Sequence, residues 1–303
     1  MKKIDYFISD DGAKIAFYCW LPEEEPIAVV QIAHGMMEYA ERYEDFAKFL
    51  NKNRIVVYAN DHRGHGKTAG SIENLGHLAD DNGWIKVVAD LRMMTKIIRQ
   101  DYPKLPVILF GHSAGSFLAR TYITLYDDIN GVIISGTAAY PKYVIFAGRL
   151  LAFFQGLFKD KRSFSPFFDN MSFNSFRKHF NESKSAWLCR DQDVVKQYEN
   201  DPYCGFVCTL GYYKDMFYGL NYISQKTHNQ WIRFTLPVYI VSGSEDCLGE
   251  FGKGPQRLGQ MYRKRQLEEV TVNIFEGARH EILNETNKQE VYEDLLEWIT
   301  YHI

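Results

Sequence analysis

A serine stands between two glycines directly after an apolar run, in the segment VILFGHSAGSFLAR that extends from Val107 to Arg120. The apolar run predicts a buried strand that ends at Gly111, and the pattern after it predicts a helix that begins near Ala114. Gly111, Ser113 and Gly115 fit the G-x-S-x-G pattern of a nucleophile elbow, a tight turn that lifts the serine hydroxyl above the edge of a sheet. The pattern also occurs by chance in helix caps, but the strand and helix around it favour a nucleophilic serine.

A serine hydroxyl needs a base and an orienting carboxylate to attack at neutral pH. In folds with this elbow, the acid and then the histidine follow the serine along the chain. Of the four histidines after Ser113, only His280 directly follows a predicted last strand, in VTVNIFEGARHEIL, and we expect it to be the general base. The strand LPVYIVSG is followed by Glu245 and Asp246, either of which can supply the carboxylate, and Glu250 is a further alternative.

Attack on a carbonyl also requires N–H donors for the developing oxyanion. The backbone N–H of Ala114, the residue after the nucleophile, is one expected donor. The other should come from the loop after the third predicted strand, IAHGMMEYAERY, where His34 and Gly35 turn the chain and the N–H of Met36 is the candidate. His34 also suits a hydrogen bond that fixes this loop.

Short apolar runs alternate with helical patterns over residues 1–136 and again over residues 236–303. Runs that are apolar throughout and separated by helices predict an α/β fold, with a mostly parallel central sheet and helices on both faces. The first two runs, on either side of Asp11 and Gly12, predict an antiparallel hairpin. Residues 137–235 break the alternation and are rich in aromatic side chains. We expect the two outer segments to form the core, and residues 137–235 to form a mainly helical cap over the carboxyl ends of the strands.

The composition argues against several other kinds of protein. Lys+Arg 35 against Asp+Glu 38 gives a formal net charge of -3 without a dominant charged block, so we expect no nucleic-acid partner. The five scattered cysteines suit free thiols in a reducing compartment. The N-terminus does not have the pattern of a secretory signal, and we find no apolar run of about 18 residues. We therefore predict a cytoplasmic location.

Two further patterns resemble cofactor sites only in part. Histidines cluster between positions 34 and 77, but no cysteine or carboxylate spacing completes a metal site there, and loop packing is the simpler interpretation. RGHGKTAG resembles the end of a phosphate-binding loop, but Asp61 stands where that loop needs a glycine. We expect neither a metal nor an organic cofactor.

Five segments together resemble a known family. HGMMEYAERYEDFAKFL, VYANDHRGHGKT, LFGHSAGSFLAR, SGSEDCLG and EGARHEILNE occur in the order and approximate spacing of the monoacylglycerol lipases and bacterial lysophospholipases of the α/β-hydrolase superfamily. The resemblance implies an α/β-hydrolase fold, a triad of Ser113, Asp246 and His280, and an oxyanion hole formed by Met36 and Ala114. It also implies hydrolysis of single-chain lipid esters without a cofactor. The family elbow usually has the sequence G-H-S-M-G-G, and the smaller alanine in this chain predicts a wider acyl pocket.

The cap segment YVIFAGRLLAFFQGLFKDKRSFSPFF combines apolar residues with interspersed lysines and arginines. It fits a helix that packs on the core and lines an acyl site, and it also fits an amphipathic segment that touches a membrane surface transiently. These two roles are compatible.

Three other functions remain as alternatives. A serine peptidase would need acidic side chains in the cap to bind a substrate amino group, and Glu182, Asp191 and Asp193 are candidates. An acyltransferase would pass the acyl group to an alcohol, and a non-catalytic relative would only bind a ligand. We predict a serine carboxylester hydrolase that cleaves a small lipid ester, either a monoacylglycerol or a lysophospholipid, through an acyl-enzyme.

Overall fold

The computed structural model describes residues 1–303 and contains one eight-stranded sheet. The strands are β1 (Lys2–Ile8), β2 (Lys14–Trp20), β3 (Ala28–Ala33), β4 (Ile55–Asn60), β5 (Val107–His112), β6 (Gly131–Ser135), β7 (Val238–Gly243) and β8 (Val270–Phe275). Their order across the sheet is β1-β2-β4-β3-β5-β6-β7-β8. β1 and β2 form the predicted antiparallel hairpin, β2 pairs antiparallel with β4, and all later pairings are parallel. The prediction of a mostly parallel sheet is confirmed.

Helices cover both faces of this sheet. They are α1 (Glu44–Lys52), α2 (Gly83–Asp101), α3 (Ala114–Leu125), α4 (Lys142–Gln155), α5 (Pro166–His179), α6 (Gln192–Asn200), α7 (Leu210–Ser224), α8 (Lys226–Asn229), α9 (Lys253–Arg263) and α10 (Lys288–Tyr301). Short 3-10 helices occur at Ala40–Tyr43, Gly66–Ala69, Ile72–Asn74 and Ile282–Asn284. α1 and α10 pack on one face of the sheet, and α2, α3 and α9 pack on the other.

The central strands are buried along their whole length, as β3, β4, β5 and β7 show. Successive side chains of a strand point to opposite faces. In β5, Leu109 packs with the α2 and α3 side chains, and its neighbour Ile108 packs with those of α1 and α10. Because both faces are covered, these strands are apolar throughout rather than alternating, which is the pattern seen in the sequence.

Five helices, α4 to α8, lie between β6 and β7. α4 packs on α7, and α7 packs on α2 and α3 of the core. The only β pairing in this region is an isolated bridge between Phe164 and Thr209, so the insertion is mainly helical, as predicted. Its limits at residues 137 and 235 stay a prediction. None of the helices combines the length and apolar composition that crossing a membrane would require.

Candidate active site

The turn after β5 places Ser113 at the start of α3 in a strained conformation. Ser113 has a φ of 53° and a ψ of -118°, which residues other than glycine rarely adopt. The neighbouring glycines permit this turn: a Cβ atom on Gly115 would lie 2.0 Å from the carbonyl oxygen of Ala33, and one on Gly111 would lie 2.4 Å from the carbonyl oxygen of Gly115. The geometry is that of the predicted nucleophile elbow.

The loop after β8 brings His280 into contact with Asp246, which follows β7. His280 Nδ1 lies 3.0 Å from Asp246 Oδ1, and both side chains are buried. Asp246 also accepts hydrogen bonds from the backbone N–H of Leu248 at 2.9 Å and from Ser242 Oγ at 3.1 Å. Because an ionised carboxylate only accepts, His280 donates from Nδ1 and its Nε2 is free to act as a base.

The two alternative acids do not contact this histidine. Glu245 is half-exposed and lies 4.0 Å from Arg279 Nε, and Glu250 pairs with Arg257. Asp246 is therefore the carboxylate that orients His280.

Burial and charge oppose each other in the pair of Asp246 and His280. Burial lowers the pKa of His280, but the negative charge and the hydrogen bond of Asp246 raise it to a net value above the ordinary 6.5. Burial raises the pKa of Asp246, and the charge of His280 and the hydrogen bonds bring it to a net value below 3.8. The pair therefore favours an ionised Asp246 and a His280 more basic than free imidazole.

Ser113 and His280 both line one small cavity, of about 20 Å³. No hydrogen bond joins Ser113 Oγ to the His280 ring in this structure. Such contacts are often long in the absence of a ligand and tighten when substrate binds. The structure brings the three predicted side chains together in the order Asp246, His280, Ser113.

The N–H groups of Met36 and Ala114 are both unpaired, because neither donates to a backbone or side-chain acceptor. Met36 lines the cavity, and Ala114 is the first residue of α3. The loop packs closely on the elbow, since a Cβ atom on Gly35 would lie 3.2 Å from Ser113 Cβ. Two backbone N–H groups without an acceptor therefore belong to residues next to the serine, and an oxyanion hole needs donors of this kind.

His34 fixes this loop through both ring nitrogens. Its Nδ1 lies 2.8 Å from the carbonyl oxygen of Gly35, and its Nε2 accepts from the backbone N–H of His62 at 2.9 Å. Burial holds the pKa of His34 well below its ordinary value. The neutral ring therefore acts as a bridge between the loops after β3 and β4, which is the supporting role expected for it.

Sequence reasoning did not identify a buried ion-pair network beside the site. Arg42 Nη1 donates to Glu38 Oε2 and Glu281 Oε1, each at 2.7 Å, and Arg42 Nη2 donates to Glu281 Oε2 at 2.8 Å. Glu38 Oε1 in turn accepts the N–H of Gly35 at 2.5 Å. The network therefore joins the loop that carries Met36 to the residue directly after His280.

Only weak signals for this network exist in the sequence. Glu38 and Arg42 fall in HGMMEYAER, and Glu281 directly follows the histidine, but Arg42 and Glu281 are 239 positions apart. No local pattern indicates a contact across that distance.

Aromatic residues of the cap close the cavity. The Trp187 ring lies 5.1 Å from the His280 ring and stacks on Phe173 of α5 at 5.4 Å. The carbonyl oxygen of Leu188 accepts the N–H of Glu281 at 2.7 Å. A volume of about 20 Å³ has room for about one water molecule, so the cavity is too small to enclose an ester in this structure.

The sheet, the strained serine turn and the cavity shared with His280 define a hydrolase of the α/β-hydrolase superfamily. The fold closely matches a solved carboxyl esterase from Bacillus coagulans, with a TM-score of 0.89 and 25% identity over 99% of this chain and 98% of that chain. The chain belongs to the family described as serine aminopeptidase, S33, whose model matches residues 24–287.

Curated relatives carry lipase names. A monoacylglycerol lipase of Mycolicibacterium smegmatis is 27% identical, over 98% of this chain and 96% of the relative. A monoglyceride lipase of Homo sapiens is 23% identical, over 98% of this chain and 90% of the relative. The resemblance to monoacylglycerol lipases inferred from the five sequence segments is confirmed.

Proposed function

We propose that the protein is a serine carboxylester hydrolase that cleaves esters of single-chain lipids through an acyl-enzyme. Ser113 Oγ attacks the ester carbonyl while His280 Nε2 accepts its proton. Asp246 holds the histidine in this tautomer and stabilises the imidazolium that forms. The N–H groups of Met36 and Ala114 donate to the oxyanion of the tetrahedral intermediate. His280 then protonates the leaving alcohol. In the second half of the reaction, His280 accepts a proton from water, the water attacks the acyl-enzyme, and Ser113 leaves with that proton as the acid is released.

The observation that carries this proposal is the hydrogen bond between His280 and Asp246, with the histidine facing the cavity of a strained Ser113. The monoacylglycerol lipase names of the relatives support an ester with one acyl chain as substrate. The lining of the cavity by Phe173, Trp187 and Leu188 supports an apolar acyl group. The proposed mechanism needs neither a metal nor an organic cofactor.

The aminopeptidase name of the family raises the alternative of an amide substrate with a free amino group. The three acidic cap residues named as candidates for binding such a group do not line the cavity of Ser113. Glu182 accepts from Arg279 at 2.9 Å, Asp191 caps α6, and Asp193 is exposed. Since none of them lines the cavity, the geometry favours an ester.

The division of the chain belongs to the same proposal. Residues 1–136 and 236–303 form the hydrolase core, and residues 137–235 form the cap that admits the substrate. A cytoplasmic location is supported by the five cysteines, which are all free and buried.

We also propose transient contact of α4 with a membrane surface. Tyr143, Phe146 and Phe153 on this helix are largely exposed, with Phe146 65% exposed, and Arg149 lies among them. Such a surface suits the interface of a bilayer. Flotation with phosphatidylglycerol vesicles should recover the protein, and a Phe146→Ser, Phe153→Ser variant should remain behind. Equal recovery of both proteins would rule out this contact surface.

A substrate panel tests the proposed activity. We expect hydrolysis of a monoacylglycerol, lysophosphatidylcholine or both, and of a p-nitrophenyl ester, with a far slower reaction on an aminoacyl p-nitroanilide. Ser113→Ala should lose all of these activities. Cleavage of the anilide at the rate of the esters would overturn the ester class, and activity on the p-nitrophenyl ester alone would overturn the lipid substrate.

The same assay distinguishes hydrolysis from acyl transfer. With glycerol added to the p-nitrophenyl ester, the free acid should remain the main product. A glycerol ester as the main product would show that alcohol, rather than water, is the acceptor.

A further inference from the structure

We propose that a second cavity, beside Arg120 of α3, binds the carboxylate of an aliphatic acid. This Arg120 cavity has a volume of about 190 Å³ and is lined by residues of α3, α4, α7, α9 and the segment after β6. It shares no lining residue with the cavity of Ser113. It is therefore a separate site.

Arg120 is a buried cation without a carboxylate partner. Its side chain belongs to a residue only 3% exposed, and its Nη1 donates to the carbonyl oxygen of Ala138 at 2.7 Å and to Thr137 Oγ1 at 3.3 Å. Its Nε has no hydrogen-bond partner. The buried hydroxyl of Tyr262 lies close to this guanidinium and raises its pKa, but it forms no hydrogen bond of ordinary geometry and carries no carboxylate charge.

A guanidinium buried in this way is costly unless an anion compensates it. Burial lowers the pKa of Arg120, and the Tyr262 hydroxyl, which acts in the opposite direction, does not offset this effect; no carboxylate contributes. Arg42 beside the active site, whose side chain is only 12% exposed, has two carboxylate partners. The contrast indicates that the anion for Arg120 comes from outside the chain.

The charge around the cavity favours an anion as well. Lys142 is exposed on the rim and forms no ion pair, while Arg257 pairs with Glu250. No acidic residue lines the cavity. Two cations, Arg120 and Lys142, are therefore uncompensated, and a site with this charge attracts anionic ligands.

The rest of the lining favours a hydrocarbon chain next to the anionic group. Seven of the 11 lining residues are hydrophobic, among them Ile145 of α4, Leu220 and Ile223 of α7, and Met261 of α9. Free phosphate would leave this apolar surface uncovered, whereas the alkyl chain of an acid covers it. A planar carboxylate also matches the geometry of a guanidinium.

Under the proposed function, the enzyme itself releases aliphatic acids. This link to the reaction product rests on the proposed function, but the binding site does not. A binding measurement without hydrolysis therefore tests the site even if the ester assays fail.

Calorimetric titration of the purified protein with octanoate, octan-1-ol and inorganic phosphate tests the proposal. Octanoate should bind at least about tenfold more tightly than either of the others, because only octanoate uses both the guanidinium and the apolar lining. If octan-1-ol bound as tightly as octanoate, a role for the negative charge of the ligand would be excluded. If phosphate bound as tightly as octanoate, a role for the alkyl chain of the ligand would be excluded.

Variants locate the bound octanoate. Arg120→Met should weaken octanoate binding by about tenfold or more, in line with the loss of a charge-assisted hydrogen bond. Arg263→Met, which removes the same charge from an exposed position of α9, should bind as the wild type does. Undiminished binding of octanoate by Arg120→Met would overturn the proposal. Such a result would place the acid elsewhere, for example in the cavity of Ser113.

A second substitution at the same position keeps the test valid if the first variant does not fold. Arg120→Met removes a buried cation that has no carboxylate partner, so the melting temperature should change little despite the lost hydrogen bond to Ala138. If that variant fails to fold, Arg120→Lys can be used instead. This variant keeps the positive charge but loses the planar guanidinium, and it should bind octanoate more weakly than the wild type does. Wild-type affinity in Arg120→Lys would then contradict the proposed guanidinium contact.

Discussion

The hydroxyl of Ser113 is presented by a backbone conformation that costs about 1 to 3 kcal/mol and persists only where the surroundings impose it. Here the surroundings are β3 and the first turn of α3, which approach so closely that Gly115 has no room for a Cβ atom. Strain at a single residue thus results from close packing of two elements. The benefit is a side chain that faces the cavity with the free N–H of Ala114 beside it.

The raised pKa of His280 predicts the pH dependence of the reaction. The protonated ring cannot accept a proton from Ser113, so kcat/KM should fall as the pH drops through the pKa of His280. Since Asp246 raises that pKa above 6.5, the midpoint of this acid limb should lie above 6.5. A pH profile with a soluble p-nitrophenyl ester measures it.

Asp246→Asn should lower kcat by about 10⁴-fold, as loss of the orienting carboxylate does in other serine hydrolases. The remaining activity should show an acid limb moved to lower pH, because the charge that favours protonated His280 is gone. Glu245→Gln is the matched control, since Glu245 is half-exposed and does not contact His280. An unchanged midpoint in Asp246→Asn would contradict the role given to this carboxylate.

The loops that carry Met36 and His280 follow β3 and β8, which are separated by three strands in the sheet. The bidentate contact of Arg42 with Glu281 and its bond to Glu38 tie these distant loops together. Because both carboxylates are buried, at 4% and 5% exposure, their positions depend on this arginine. We therefore expect the network to position the proposed oxyanion donor, the N–H of Met36, relative to the proposed base, His280.

Glu38→Gln should lower kcat by about ten- to a hundredfold and leave KM nearly unchanged, because a small displacement of the Met36 N–H weakens a contact made only in the transition state. The amide retains an acceptor for Gly35 but loses the charge that pairs with Arg42. Steady-state kinetics on a soluble ester measure both constants. Glu41→Gln, which changes a neighbouring acid paired with Lys2 at the surface, should behave like the wild type. A rise in KM at constant kcat in Glu38→Gln would show a role in substrate binding instead.

At the scale of the whole molecule, features encoded by local patterns could be predicted from the sequence. The apolar runs of β3, β5 and β7 indicated a parallel sheet because each strand is covered on both faces. The glycines around Ser113 indicated the elbow because the turn leaves no space for larger residues. His280 could be found because the topology places the loop after the last strand near the elbow.

Features that depend on contacts between distant segments could not be predicted in this way. The pairing of Arg42 with Glu281 and the closure of the cavity by Trp187 arise only when the chain is folded. No pattern in the sequence distinguishes Arg120 from the other residues of the helix after the elbow. Its lack of a carboxylate partner becomes evident only in the folded structure. The cap gave the weakest prediction, because its helices have neither strands nor a motif between them to fix their arrangement.

The most direct test of the proposed triad is whether its members act as one unit. We would measure kcat for a soluble ester with Ser113→Ala, His280→Ala and the double variant. Each single substitution should lower kcat by about a million-fold, as in comparable serine hydrolases, and the double variant should be no slower than either. Substantial activity in Ser113→Ala, or losses that multiply in the double variant, would contradict a shared mechanism for these two residues.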